Sequence, residues 1–243
     1  MDSNGLEHFL NRIHQSYVDA RKPLCSDALC ESVIERGRSR TISGIAEDYF
    51  AELLSSELGE KNLHFFIDQP LVGGAHKVYP DVMITRCLGE SRFEILYMLD
   101  LKMDIGYHRV VTAGATPKQN YIEKAQSLLS ENLTLLRNVP LFELTTKSGS
   151  LKKSKVDHLA PRYYFSLHSQ ASYDEVIITS KNSGSKAKEK ELIEYAKDPN
   201  SNIWVLSTGS HPNEYRDELD MHPFCESWTL LIRKIRGVVE TKG

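Results

Sequence analysis

The run at residues 93–102 limits the folds open to this chain more than any other feature. It reads Phe-Glu-Ile-Leu-Tyr-Met-Leu-Asp-Leu-Lys, and from residue 93 to residue 99 only Glu94 is polar. A strand that is apolar on both faces is typical of the centre of a sheet that is covered on both sides. The sequence therefore predicts a central β-strand that leads directly into two charged residues, Asp100 and Lys102.

These two charged residues are expected to act together. Side chains at positions i and i+2 share one face of a strand, so Asp100 and Lys102 lie on the same face with backbones about 7 Å apart, while Leu101 faces the opposite side and stays in the core. Charged groups in a core-like strand are costly unless they are paired or bind a metal. The run therefore predicts either a functional site or an ion pair.

A second strand-like segment precedes this run and contributes another carboxylate. Pro80-Asp81, the only Pro-Asp dipeptide in the chain, stands at its beginning, and a short connection that contains Gly89 follows it. Two such segments joined by a short turn predict a β-hairpin. Because neighbouring strands are about 4.8 Å apart, Asp81 and Asp100 are expected to reach a common ion.

The chemistry of these groups suits the hydrolysis of a phosphodiester. Two carboxylates completed by water suit Mg²⁺, for which Mn²⁺ could substitute. The ammonium group of Lys102 could orient the attacking water and offset the charge that develops on the phosphorane. The alternative is that Asp100 and Lys102 form a structural ion pair at the end of the strand and that Asp81 is a turn residue.

The pattern Pro80-Asp81, a spacer, then Asp100-Leu101-Lys102 resembles the PD-(D/E)XK nuclease superfamily. The resemblance covers residues 44–140. It implies an α/β (α+β) fold with a restriction-endonuclease-like αβββαβ core, a central mixed sheet flanked by helices. It also implies an Mg²⁺-dependent endonuclease of the restriction or repair type that acts on DNA rather than RNA. The carbonyl of Leu101 would be a third metal ligand, and a homodimer is left open.

A helix is predicted from Gly44 to Leu58, with Ser43 as its N-cap and Gly59 as its stop signal. At about 100° per residue, Glu47 lies on the apolar face of this helix, whereas Asp48 lies on the polar face. A glutamate directed at the core needs a partner. The resemblance implies an acidic site residue from a helix ahead of the first strand, and Glu47 is the one that helical phase selects.

The 243 residues are expected to form a single nuclease domain: an N-terminal helical cap at 1–43, the catalytic core at 44–140, and a sheet extension or subdomain at 141–243. Helical patterns occur at 6–17, 26–34, 116–136, 183–197 and 223–239. Strand-like patterns outside the hairpin occur at 63–72, 162–167, 175–179 and 202–207. The stretches 103–116 and 145–158 read as loops.

Candidate contacts to nucleic acid are the polar residues that follow the central strand and the lysines of the next helix and basic loop; they are Tyr107, His108, Arg109, Lys118, Lys124, Lys152 and Lys153. The alternative for each is an ordinary solvated loop or helix face. The formal net charge is −3, so contacts to DNA must come from such local patches.

Several classes of protein have no support. The four cysteines contain no C-x-x-C pair, which argues against a zinc or iron–sulfur site. No stretch suits a membrane span or a signal peptide, so a cytoplasmic protein without a membrane partner is expected. A non-catalytic binding module on the same fold stays open. A small-molecule hydrolase lacks any supporting motif, since G-x-S-x-G and Walker A sequences do not occur.

Overall fold

The computed structural model describes residues 3–21, 42–60, 62–69, 71–73, 76–89, 91–104, 133–135, 142–144, 151–153, 163–181, 186–210 and 219–241, and within them the protein is an α+β structure. The helices are α1 Ser3–Arg21, α2 Ser43–Leu58, α3 Lys186–Tyr195 and α4 Cys225–Val239. The strands are β1 Leu63–Ile67, β2 Leu71–Gly73, β3 His76–Val78, β4 Val82–Gly89, β5 Arg92–Asp104, β6 Leu133–Leu135, β7 Phe142–Leu144, β8 Leu151–Lys153, β9 Tyr164–Thr179, β10 Ile203–Ser210 and β11 Asp220–Pro223.

The chain divides into two compact units. The first contains residues 1–60, 99–115 and 174–242, and the second contains 61–98, 116–173 and 243. Strands β5 and β9 are long enough to contribute residues to both units.

The first unit is built around helices whose apolar faces meet. Helix α1 buries Leu6, Phe9, Leu10 and Ile13, which is the spacing of one helical face. The ring of Phe50 on α2 lies 5.9 Å from Phe9 and 6.3 Å from Trp228 on α4. The predicted helices at 6–17 and 223–239 are confirmed, although Pro223 ends β11 and α4 begins only at Cys225.

A parallel strand pair supports these helices. The last part of β9 pairs with β10 in parallel, with Glu175 opposite Ile203 and Ile177 opposite Val205. Parallel strands need a crossover connection, and α3 provides it. Leu192 and Ala196 at the end of this crossover are buried against Ile177 and Val205.

The second unit is a sheet with the strand order β1-β4-β5-β9-β6-β2-β3. This unit contains a cluster of buried residues: Phe66, Leu71, Met83, Phe93, Ile95, Met98, Phe165 and Tyr173. The rings of Phe93 and Phe165 are stacked with centroids 5.7 Å apart. Antiparallel pairing of β1 with β4 places Ile67 opposite Val82, at the start of the predicted hairpin.

Helix α2 confirms its predicted stop but not its predicted start. Gly59 has φ +65°, and its N–H donates to the carbonyl of Ser55 at 3.1 Å, so it ends the helix in the left-handed conformation. The N-cap is Ile42 without a side-chain cap bond, and Ser43 is already helical. None of the described helices has both the length and the apolar character that crossing a bilayer requires.

Four predictions of secondary structure were wrong in extent. The strand expected at 63–72 is broken at Asp68, whose φ is +46°, so it forms β1 and β2. The strands expected at 162–167 and 175–179 are one continuous strand, β9. Leu133, expected in a helix, lies in β6, where it pairs with Phe165. The loop expected at 145–158 contains β8, which pairs with β7.

Gly209 is required by close packing between β10 and β11. It has φ +103°, and a Cβ atom there would lie 1.6 Å from the carbonyl oxygen of Asp220. We expect Gly209→Ala to lower the free energy of unfolding by about 2–3 kcal/mol, measured by urea denaturation, because the strand pair must shift to admit the methyl group.

Gly237→Ala is the matched control, since nothing lies within 4 Å of a Cβ atom at that helical position. There the substitution should leave stability unchanged or raise it by about 0.5–1 kcal/mol. Equal stability of Gly209→Ala and the wild type would contradict the described packing of β11 on β10.

Candidate active site

Asp100 and Lys102 contact each other directly on β5, within the first unit. The Nζ atom of Lys102 lies 2.7 Å from Oδ1 and 2.6 Å from Oδ2 of Asp100. The side chains of Asp100 and Lys102 are 15% and 27% exposed, respectively. The prediction that the two side chains share one face of the strand is therefore confirmed.

The charges of this pair are partly removed from water, and this determines what the pair can do. Charge-assisted hydrogen bonds to both oxygens offset much of the desolvation of the Asp100 carboxylate. The carboxylate oxygens of Asp100 attract positive charge, and in this structure the ammonium group of Lys102 supplies it. The pair can thus be a structural ion pair or a carboxylate and an ammonium group held ready for a substrate.

The pair lies near the C-terminal end of β5, as the structural alternative assumed. Strand β5 continues for two residues beyond Lys102, to Asp104. Leu101 was expected to stay in the core, but it is partly exposed, whereas Leu99 is fully buried. The covered part of the strand therefore ends at Leu99, and the charged pair lies where the strand becomes accessible.

Asp81 belongs to the second unit and immediately precedes β4. Its side chain is partly exposed, and its carbonyl accepts a hydrogen bond from the N–H of Asp68 at 2.9 Å. This bond continues the pairing of β1 with β4, so the backbone at Asp81 is fixed by the sheet. The bend at Asp81 agrees with the turn role of the structural alternative, while its part in a metal site stays a prediction.

The predicted hairpin is confirmed in its connectivity. Strands β4 and β5 are hydrogen-bonded neighbours, and only residues 90 and 91 separate them. Gly89 and Ser91 have φ of +147° and +61°, the positive values that a tight turn between two strands demands. The turn therefore reverses the chain between β4 and β5.

Glu47 lies on α2 in the first unit, next to the buried face of the helix. The predicted apolar face is confirmed, because Phe50, Ala51, Leu54 and Leu58 are all buried. Glu47 is partly exposed, whereas Asp48 is exposed, so helical phase ranked the two acids correctly. The predicted role of Glu47 in a metal site stays a prediction.

Most of the candidate nucleic-acid contacts lie outside the described residues. This holds for Tyr107, His108, Arg109, Lys118 and Lys124. Lys152 and Lys153 are described only in their backbone, which forms part of β8. The roles predicted for these residues stay predictions.

The donor atoms can be tested for their fit to a metal. Among the residues that the structure describes, no three His, Cys, Asp or Glu side chains form a group that could hold a metal ion. Mg²⁺ differs from zinc or calcium in this respect, since it retains several waters and usually takes one or two carboxylates. The carboxylate oxygens of Asp100 are of the kind that Mg²⁺ binds, while the parts of Asp81, Glu47 and the Leu101 carbonyl in a metal site stay predictions.

Sequence reasoning missed a second charged cluster in the first unit. Asp174 is completely buried, and its Oδ2 atom accepts hydrogen bonds from Lys234 Nζ at 2.7 Å and from Trp204 Nε1 at 2.7 Å. Lys234 lies within the helix predicted at 223–239, and Asp174 lies between the strands predicted at 162–167 and 175–179. The two residues are 60 positions apart, so no local pattern could have paired them.

No family model matches the chain, and neither a curated protein nor a solved structure matches it.

Proposed function

We propose that this protein is an Mg²⁺-dependent endonuclease that hydrolyses DNA phosphodiester bonds. The observation that carries the proposal is the contact of Asp100 with Lys102, a carboxylate and an ammonium group held 2.6 Å apart where β5 emerges from the core. An acid and a lysine in this relation supply a cation ligand and a donor to an oxyanion from one strand.

The order of the elements supports a restriction-endonuclease-like core. Helix α2 is followed along the chain by β1, β4 and β5, and these strands are neighbours in the sheet of the second unit. This is the helix–strand–strand–strand order with which the αβββαβ core begins. Along the chain, β2 and β3 come between β1 and β4, and these two additional strands pair with each other.

The side chains of β5 have distinct roles in this proposal. The carboxylate of Asp100 would hold the cation, and the ammonium group of Lys102 would bind the attacking water and stabilise negative charge on the phosphorane. When bound, Mg²⁺ would polarise the scissile phosphate and lower the pKa of a coordinated water. Asp81, Glu47 and the carbonyl of Leu101 are proposed as further ligands.

Lys102 has a second role before any substrate binds. DNA is strongly anionic, and a carboxylate without a nearby cation would repel its phosphates. The ammonium group of Lys102 compensates the charge of Asp100 at both oxygens. The Asp100–Lys102 pair is therefore close to neutral as the DNA approaches, which is useful in a chain whose formal net charge is −3.

One observation favours a non-catalytic nucleic-acid-binding or interaction module as the second candidate. The ion pair between Asp100 and Lys102 satisfies both charges within a single strand. Such a pair can persist for structural reasons alone, as folds do not fix function. A binding module would bind nucleic acid with the same affinity in Mg²⁺ and in EDTA and would cleave nothing.

Incubation with supercoiled plasmid DNA, single-stranded DNA and RNA of matched sequence tests the proposal. We expect nicked or linear plasmid in Mg²⁺ or Mn²⁺ and no product in EDTA, because the cation would carry the charge stabilisation. We also expect slower or no cleavage of RNA. Product yield on agarose gels is the measurement. Cleavage that proceeds equally in EDTA, or intact DNA at every Mg²⁺ concentration, would be the contradicting result.

A further inference from the structure

A cleft in the second unit, lined in part by the start of β5, has the chemistry of a ligand site. Its volume is about 380 Å³, within the size range of small-ligand pockets, and it is lined by Leu88, Arg92, Phe93, Tyr164, Phe165 and Ser166. The lining comes from the ends of β4 and β9 and the start of β5, which are neighbours in the sheet.

Two of the residues that line this cleft, Phe93 and Phe165, also belong to the buried cluster of the second unit. Phe93, Phe165 and Tyr163 pack in that cluster. Since alternate residues of a strand point to opposite faces, Arg92 and Tyr164 lie on the other face of the sheet. The cleft is therefore an open sheet surface that carries an aromatic ring and a guanidinium group.

The strands that carry these side chains are fixed by backbone hydrogen bonding and by packing of their buried rings. The N–H of Tyr164 donates to the carbonyl of Ser91 at 2.8 Å, which ties the start of β9 to the turn before β5. Beneath it, the stacked rings of Phe93 and Phe165 are 5% exposed each. A ligand that binds on this face would meet a surface that needs no rearrangement of the backbone.

The exposure and charge of the cleft indicate which ligand it fits. Tyr164 is 43% exposed and Leu88 is 56% exposed, an apolar surface left to solvent. Arg86 on β4 is neutralised by Glu94 at 3.1 Å, whereas Arg92 forms no ion pair with any residue that the structure describes. An exposed ring beside an uncompensated cation is complementary to a base that is linked to a phosphate.

We propose that this cleft binds single-stranded nucleic acid. One base stacks on the ring of Tyr164 against Leu88, the guanidinium group of Arg92 binds the adjoining phosphate, and the hydroxyl of Ser166 is available for a hydrogen bond. A duplex offers its phosphates but not the faces of its bases, so it can use Arg92 but not Tyr164. The inference rests on the proposed function for its purpose, because a nuclease must hold the strand that it cuts.

Binding of a labelled single-stranded oligonucleotide, followed by fluorescence anisotropy in EDTA, tests this without any cleavage. We expect Tyr164→Ala to bind about tenfold or more weakly at unchanged salt dependence, and Tyr164→Phe, which keeps the ring, to bind as the wild type does. Arg92→Ala should lower the slope of log K against log salt concentration by about 0.7, the value for one phosphate contact on a single strand. Tyr195→Ala is the control and should bind the oligonucleotide as the wild type does, because Tyr195 is also 43% exposed but does not line the cleft.

The outcomes separate this inference from the proposed function. Loss of binding in Tyr164→Ala, without any cleavage by the wild type in Mg²⁺, would support the cleft and reject the nuclease. Three results would overturn the cleft: an unmeasurable affinity of the wild type, wild-type affinity of Tyr164→Ala, or a change in oligomeric state of Tyr164→Ala in light scattering. The last result would show that the cleft is an interface between copies of this chain.

Discussion

Lys102→Ala and Asp100→Asn are each expected to reduce Mg²⁺-dependent cleavage of plasmid DNA by at least about 100-fold. The expected size follows from the loss of one group that stabilises charge in the transition state, which typically lowers a rate by about 10²–10³. The two groups lie 2.6 Å apart on β5, so they act as one unit and the double variant should be no slower than either single variant. Initial rates of plasmid nicking at saturating Mg²⁺ are the measurement.

A matched pair on the surface provides the control for these variants. Lys181 and Asp220 form an ion pair at 3.1 Å, also in the first unit, with side chains 41% and 32% exposed. Lys181→Ala and Asp220→Asn remove the same charges and should leave the cleavage rate at the wild-type value. Cleavage by Lys102→Ala at the wild-type rate would reject the assignment and would indicate that Asp100 and Lys102 are only an ion pair.

Lys234→Met is expected to lower the free energy of unfolding by about 3–5 kcal/mol, the usual effect of removing one partner of a buried ion pair. The ammonium group of Lys234 lies 2.7 Å and 3.0 Å from the two carboxylate oxygens of Asp174 and 2.8 Å from the carbonyl of Ser201. Asp174 is completely buried, so its charge cannot be compensated by water once Lys234 is removed. Urea denaturation followed by circular dichroism measures the change.

Two further variants show whether the charge or the packing of Lys234 is responsible for the loss of stability. The double variant Asp174→Leu, Lys234→Met removes both charges, and we expect it to recover a large part of the loss. Lys181→Met breaks the exposed pair with Asp220, for which a loss below about 1 kcal/mol is expected. If Lys234→Met and Lys181→Met have the same stability, the buried pair does not hold β9, β10 and α4 together.

The parts of the fold that the sequence predicts are those with a local pattern. Strand β5 is apolar at consecutive positions from Ile95 to Leu99, and all of these residues are buried. Helices α1, α2 and α4 follow from apolar residues at helical spacing, and Gly59 ends α2 because it can adopt a positive φ. In each case the predictive pattern lies within one helix or strand, so it can be recognised without knowing which other residues that element packs against.

The parts that the sequence did not predict depend on distant partners. Leu133 has helical spacing from the residues before it, yet it pairs with Phe165 on β9, and this strand pairing overrides the local pattern. The polar middle of β9 makes the sequence pattern typical of two separate strands, although His168, Tyr173 and Asp174 are buried there. The burial of Asp174 depends on Lys234 and Trp204, which local sequence cannot reveal.

For the candidate site the limit is similar. The spacing of Asp100 and Lys102 was enough to predict their contact, because residues i and i+2 share a strand face. Helical phase was enough to prefer Glu47 over Asp48. The proposal that Asp81 and Glu47 share an ion with Asp100 concerns segments that are distant in sequence, and no local pattern encodes such a contact.

Isothermal titration of the DNA-free protein with Mg²⁺, repeated with Mn²⁺, tests most directly whether these side chains bind a catalytic cation. The proposal predicts a saturable binding event in the wild type that is lost in Asp100→Asn, weakened in Asp81→Asn and Glu47→Gln, and retained in Asp220→Asn. The same isotherm for the wild type and Asp100→Asn, or no binding at millimolar Mg²⁺ and Mn²⁺, would contradict it.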